Sequence, residues 1–147
     1  MLNIKLVAES SAPAADVLAS AREFSRRRTD VWPNVSAKGF EVHASGETFA
    51  EVTEAALRGV IWERSRYEWS RPDSVRQTVL DSNALMPGSS WEITATPNGG
   101  GCHIDVVFLR EFTRTPKGRL AKWVNRLAGR RLYGWDLRRA LAVIESQ

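Results

Sequence analysis

The sequence predicts an α+β domain: a curved, seven-stranded antiparallel sheet, two short helices and one long C-terminal helix. Three observations lead there. An alternating N-terminal stretch is followed by two short helical patterns. From Gly39 to Phe112 the apolar period is two, interrupted at turn-forming residues. From Pro116 to Ser146 the pattern turns helical. The 147 residues fit one domain, 1–147, able to build a core without disulfide or metal staples.

The elements follow in order. Leu2, Ile4, Leu6 and Ala8 alternate with Asn3, Lys5 and Val7, as in a strand with one buried face. Ser10–Ser11–Ala12–Pro13 is a helix start signal, and Val17, Leu18, Ala21 and Phe24 then fall at helical spacing over Ala14–Phe24. Arg26–Arg28 and Thr29–Asp30 interrupt that pattern, and Val31–Trp32–Pro33 reads as a short second helical turn stopped by proline. Phe40, Val42 and Ala44 alternate with Glu41, His43 and Ser45 before a turn at Gly46. Further strands are expected over Thr48–Leu57, Gly59–Trp69, from Val75, around Trp91–Thr96 and over Cys102–Phe112. Arg71–Ser74, Pro87–Gly88 and Pro97–Gly101 supply the turns between them. Short connections of this kind make an antiparallel meander.

In the last segment Leu120, Val124, Leu127 and Ala128 share one helical face, opposite Arg119, Lys122, Arg126 and Arg130. After Gly129 the stripe changes phase to Leu137, Leu141 and Ile144. A kink or break is expected near Gly129–Gly134, because a straight helix would leave one stripe in water.

Composition excludes several classes. One cysteine, Cys102, allows no internal disulfide, and two histidines with it make a Cys/His metal site improbable. No apolar run reaches the length of a membrane span, and Lys5 inside the first apolar stretch argues against a signal peptide. The expected location is cytoplasmic. Walker, His-Glu-x-x-His, Cys-x-x-Cys and Gly-x-Ser-x-Gly motifs are all absent, and no cofactor is expected. The net charge of +4 is unevenly spread: Arg114–Arg139 carries nine basic residues and one acid, Asp136, leaving the remainder at −4. Asymmetry of this kind marks either a solvated helix face or contact with an anionic partner.

Six tryptophans point to an aromatic-lined space between sheet and helix. Strand parity selects its walls. Arg64, Arg66 and Glu68 form an outward face, which turns Ile61, Glu63, Ser65, Tyr67 and Trp69 inward. Gln77 and Val79 face in on the next strand, and Trp91 and Ile93 on the one after. On the last strand Val106 and Phe108 face in and place Arg110 near the rim. Trp32, Phe40, Val42, Val124, Leu127 and Trp135 complete the expected lining. Glu63 and Tyr67 are the candidate catalytic groups: a desolvated carboxyl to move protons and a hydroxyl to donate to a ligand carbonyl. A strand bulge would instead turn Glu63 into solvent beside Arg64 or Arg66. His103 is expected to be a solvated strand histidine.

Element order and local motifs resemble the START-like superfamily, with its helix-grip fold and its polyketide cyclase/dehydrase and lipid-transport members. The matching stretches are Leu2–Ala8, then Ala12–Pro13–Ala14–Ala15–Asp16–Val17, Asp30–Val31–Trp32–Pro33, and the hairpin Trp91–Gly101. Where the family often continues Gly-Thr, this chain has Gly101–Cys102. The resemblance implies a small hydrophobic ligand, such as a lipid, polyketide or aromatic, held between sheet and helix; an interior with no cavity of roughly 300 Å³ or more weakens both this reading and the enzyme reading. An enzyme of the cyclase or aromatase type is the alternative. A third reading is docking of the basic C-terminal helix on RNA, a ribosome or an anionic membrane. Against RNA, no aromatic stacking platform accompanies the basic residues. The oligomeric state is left open.

Overall fold

The alternating stretches pair into one sheet. In a computed structural model describing residues 1–147, the order is β1 (Leu2–Ser10), α1 (Ala14–Ala21), α2 (Arg27–Val31), β2 (Glu41–Ser45), β3 (Phe49–Ala56), β4 (Ile61–Glu68), β5 (Ser74–Ser82), β6 (Ser90–Asn98), β7 (Gly101–Arg110) and α3 (Pro116–Glu145). The seven strands form one sheet in the order β1-β7-β6-β5-β4-β3-β2, every neighbouring pair antiparallel. Six strands form the meander, and β1 closes onto its end with Leu2 opposite Arg110 and Ser10 opposite Cys102. Gly101 is required there, since a Cβ at that position would lie 1.9 Å from the Ser10 carbonyl oxygen.

The inward face follows the expected parity. Ser65, Tyr67, Val75, Gln77, Val79, Ile93, Ala95, Ile104 and Val106 are all buried. Val17, Leu18 and Ala21 of α1, Val31 of α2, and Leu137, Ala140, Leu141 and Ile144 of α3 pack with much of this face as one core. A bulge does occur between β4 and β5, where Ser65 pairs with Val79 but Arg64 with Asp81. It does not reverse β4: Glu63 stays on the inner side, opposite Ser82.

Two helical expectations need correction. Helix α1 ends at Ala21 rather than Phe24, and α2 is built from the arginine stretch instead of Val31–Pro33. The reason is Arg28, which turns inward and is buried. Its Nη1 donates to the carbonyls of Ala21 and Glu23 at 3.1 and 3.0 Å, satisfying groups that the end of α1 leaves free.

Helix α3 neither breaks nor interrupts at Gly129–Gly134. Its inner face is continuous: Gly118, Ala121, Asn125, Gly129, Tyr133, Asp136, Leu137, Ala140 and Ile144 are buried or half-buried in turn. In the first half this face consists of small and polar side chains, so hydrophobicity alone points to the wrong side. Gly129 allows close approach, as a Cβ there would meet Ile4 Cδ1 at 2.8 Å. The stripe left in water is therefore Leu120–Val124–Leu127, the one expected to close the cavity.

Candidate functional site

The cavity lies between the concave face of the sheet and the middle of α3. Strands contribute Glu54, Glu63, Tyr67, Trp91, Ile93, Val106, Phe108 and Arg110. Helices and the segment after α2 contribute Arg28, Trp32, Asn34, Val35, Tyr133, Asp136 and Leu137. Its volume is about 90 Å³. That is less than the roughly 300 Å³ expected, which weighs against both ligand readings. Aromatic rings fill much of the space: Trp32, Tyr67, Trp91, Phe108 and Tyr133 border it and, with Phe24 behind Tyr67, pack edge to face, tilted or stacked, with centroids 4.2 to 6.4 Å apart.

At one end a buried cluster ties three elements together. Arg28 Nε donates to Glu54 Oε2 at 3.2 Å and Nη2 donates to the Tyr67 hydroxyl at 3.0 Å. The Tyr67 hydroxyl in turn donates to Glu54 Oε1. Burial alone would lower the affinity of the Arg28 guanidinium for its proton, but the adjacent Glu54 carboxylate outweighs it and the net shift is upward. Burial likewise pushes Tyr67 well above the ordinary phenol range, reinforced by Glu54. The Tyr67 ring lines the cavity, but its hydroxyl is committed to these partners and is not free for a ligand carbonyl.

The other end holds unfinished chemistry. Glu63 accepts from Gln77 Nε2 at 2.6 Å, and Gln77 also donates to Ser65 Oγ at 3.0 Å. Arg64 and Arg66 pair instead with Glu51 and Glu68, leaving Glu63 to the interior. Burial raises the Glu63 pKa, with Arg110 pulling it back. Arg110 is only 5% exposed, and its Nε and Nη1 have no hydrogen-bond partner. The guanidinium sits 5.4 Å from the Phe108 ring centroid and 5.8 Å from that of Tyr133. Tyr133 stacks on Phe108 at 4.2 Å and donates its hydroxyl proton to Asn125 one face along α3. Burial raises the Tyr133 phenol, opposed by Arg110. Asp136 is raised from 3.8 to about 6 by burial.

Several expected lining residues lie elsewhere. Phe40 is half-buried outside the cavity, and Val42 is exposed on β2, an edge strand with no buried residue. Trp69 stacks on Phe24 and donates to the Glu47 carbonyl, away from the space. Gln77 and Val79 are buried on the inner face of β5 but do not line the cavity; Gln77 donates to Glu63. Val124, Leu127 and Trp135 are exposed because α3 presents its other face. His103 sits on the surface between Glu9 and Asp105. Trp32, Tyr67, Trp91, Ile93, Val106 and Phe108 do border the cavity, as does Glu63.

Sequence pattern alone does not single out Arg28, Glu54, Tyr133 or Asp136, and it predicts Arg110 near the rim, whereas the structure buries it. Parity contained two of these: Glu54 continues the inward series Ala50, Val52, and Arg110 continues Ile104, Val106, Phe108. No three His, Cys, Asp or Glu side chains converge to hold a metal ion.

No protein-family model matches the chain, and no curated protein matches it in sequence. Solved structures do match in shape. The Zhui aromatase/cyclase from Streptomyces sp. R1128 is 13% identical with a TM-score of 0.81, covering 98% of this chain and 93% of that one. Truncated norcoclaurine synthase from Thalictrum flavum is 14% identical with a TM-score of 0.70, covering 99% and 94%. A START superfamily protein from Mycobacterium smegmatis is 11% identical with a TM-score of 0.69, covering 98% and 94%. Identities this low speak to fold and not to activity. With both chains covered almost end to end, this protein has the helix-grip fold of the START-like proteins.

Proposed function

We propose that residues 1–147 act as a single ligand-binding domain for a small, mainly aromatic molecule that presents an oxygen acceptor to Arg110. The observation that carries this reading is Arg110, a buried side chain on the border of an aromatic-lined cavity, two of whose nitrogens have no hydrogen-bond partner. A buried charged donor without a partner costs on the order of 1–3 kcal/mol, which an incoming carbonyl, phenolate or carboxylate oxygen recovers. The aromatic walls supply the apolar contact around that one polar anchor. The space of about 90 Å³ is small even for one ring, so an aromatic guest enters only as the cavity walls move outward. Native mass spectrometry of the purified protein, with extraction of bound material, tests the reading. A retained aromatic compound is expected, and Arg110→Met is expected to lower its retention by roughly tenfold to a hundredfold. Undiminished retention in that variant sinks the assignment of Arg110.

A cyclase-type enzyme is the second reading, favoured by two carboxyls of raised pKa, Glu63 and Asp136, on one cavity. The structural likeness to an aromatase/cyclase supports it at the level of fold. Glu63 would remove or return a proton next to a carbonyl polarised by Arg110. Incubation with a short poly-β-ketone, followed by the absorbance of an aromatic product, tests it. Loss of roughly a hundredfold or more in rate is expected for Glu63→Gln. An unchanged rate removes Glu63 from the chemistry.

A further inference from the structure

We propose that the outer face of the first half of α3 docks on the anionic surface of a lipid bilayer. This is independent of what the cavity holds. Leu120, Trp123, Val124 and Leu127 are 66, 63, 41 and 78% exposed. At 100° per residue they form one stripe, turned away from Gly118, Ala121, Asn125 and Gly129. Four large apolar side chains on two adjacent turns are more than the scattered exposure normal for a surface. Lys117 Nζ also donates to the Val60 carbonyl at 3.3 Å, which sets the turn bearing exposed Leu57 and Val60 beside the start of the helix.

The charges identify the partner. Arg119, Arg126 and Arg130 run along one edge of the stripe, and Arg131 continues it toward the C-terminus. No Lys or Arg of α3 lies within an ion pair of the body. A helix with an apolar stripe among unpaired cations meets two demands of an anionic interface: burial of the apolar face at the acyl boundary and cations at the headgroups. A nucleic acid would satisfy the cations but leave Leu120, Trp123 and Leu127 in water. A second copy of this helix would cover the stripe but bring two strongly cationic faces together.

Co-sedimentation with vesicles tests the proposal, using phosphatidylcholine alone and phosphatidylcholine with phosphatidylglycerol. Binding is expected only to the anionic vesicles, weakening as salt rises. Leu127→Glu, at an exposed site that folding does not need, is expected to reduce that binding by roughly tenfold or more. Val7→Glu, on the outer face of β1, is the control and is expected to bind unchanged. Equal binding to both vesicle types, no binding to either, or no effect of Leu127→Glu overturns the proposal. Dimerisation abolished by Leu127→Glu without vesicle binding gives the stripe to a second copy and overturns it as well. So does salt-sensitive RNA binding that Leu127→Glu leaves intact while vesicles do not bind.

Discussion

Arg28 and Arg110 are both buried arginines on one cavity, yet one is saturated and the other is not. Arg28 has Glu54, Tyr67 and two helix-end carbonyls, whereas Nε and Nη1 of Arg110 have no partner. The first arrangement is structural, and the second is the one the proposed function assigns to a guest. Removing one member of the Arg28 cluster strands a buried charge, so Glu54→Ala is expected to cost about 3–5 kcal/mol in urea unfolding. The double variant Arg28→Met/Glu54→Leu is expected to recover most of that loss, since both charges go together. Asp136 gives a pH prediction of defined sign. Its folded pKa of about 6 lies above the ordinary 3.8, so folding favours the protonated form. Its contribution to stability is complete below the ordinary value and is lost as pH rises through about 6. Asp136→Asn should therefore raise stability near neutral pH by about 1 kcal/mol, a figure discounted for solvent screening of a half-buried group. Close to pH ~4 the same substitution should change little, and thermal melts at both pH values check the contrast.

Helix α3 shows where the element scale departs from sequence pattern. Strands were legible because alternation has only two phases, and turns such as Pro97–Gly101 fix their ends. Glu63, Trp91 and Phe108 consequently fell on the expected face. A helix has a continuous range of phases, and α3 aims Gly118, Ala121, Asn125 and Gly129 at the body while its leucines face out. Small residues mark close approach, a signal that hydrophobic periodicity ignores. The two glycines differ in what they approach. A Cβ at Gly118 would lie 2.3 Å from the Thr113 carbonyl oxygen, which is backbone, whereas at Gly129 it meets the movable tip of Ile4. Gly118→Ala is thus expected to destabilise by about 1–3 kcal/mol despite the better helix former. Gly129→Ala should fall within about 1 kcal/mol of the parent, because helix propensity and a small Ile4 shift oppose each other. Chemical denaturation of the two variants separates the cases.

The whole molecule divides into a body and a cationic helix. With eight basic residues and two acids, α3 carries +6 and everything else −2. This charge division was visible in the sequence; the direction of the charged face was not, because it depends on the phase of α3. If the body's acids neutralised the helix at a distance, added salt would weaken that attraction and lower the melting temperature. The geometry argues for the opposite. No Lys or Arg of α3 has an ion-pair partner, whereas the body pairs its own charges as Arg28–Glu54, Arg64–Glu51 and Arg66–Glu68. Repulsion along the helix is then the larger contribution, and screening relieves it within a Debye length of about 10 Å at 0.1 M salt. The melting temperature should rise as sodium chloride is raised from near zero to physiological strength. The double substitution Arg130→Gln/Arg131→Gln should raise the low-salt value and flatten the dependence on salt. A melting temperature that falls with salt would mean the body's acids hold the helix after all, and would assign α3's cations a structural role.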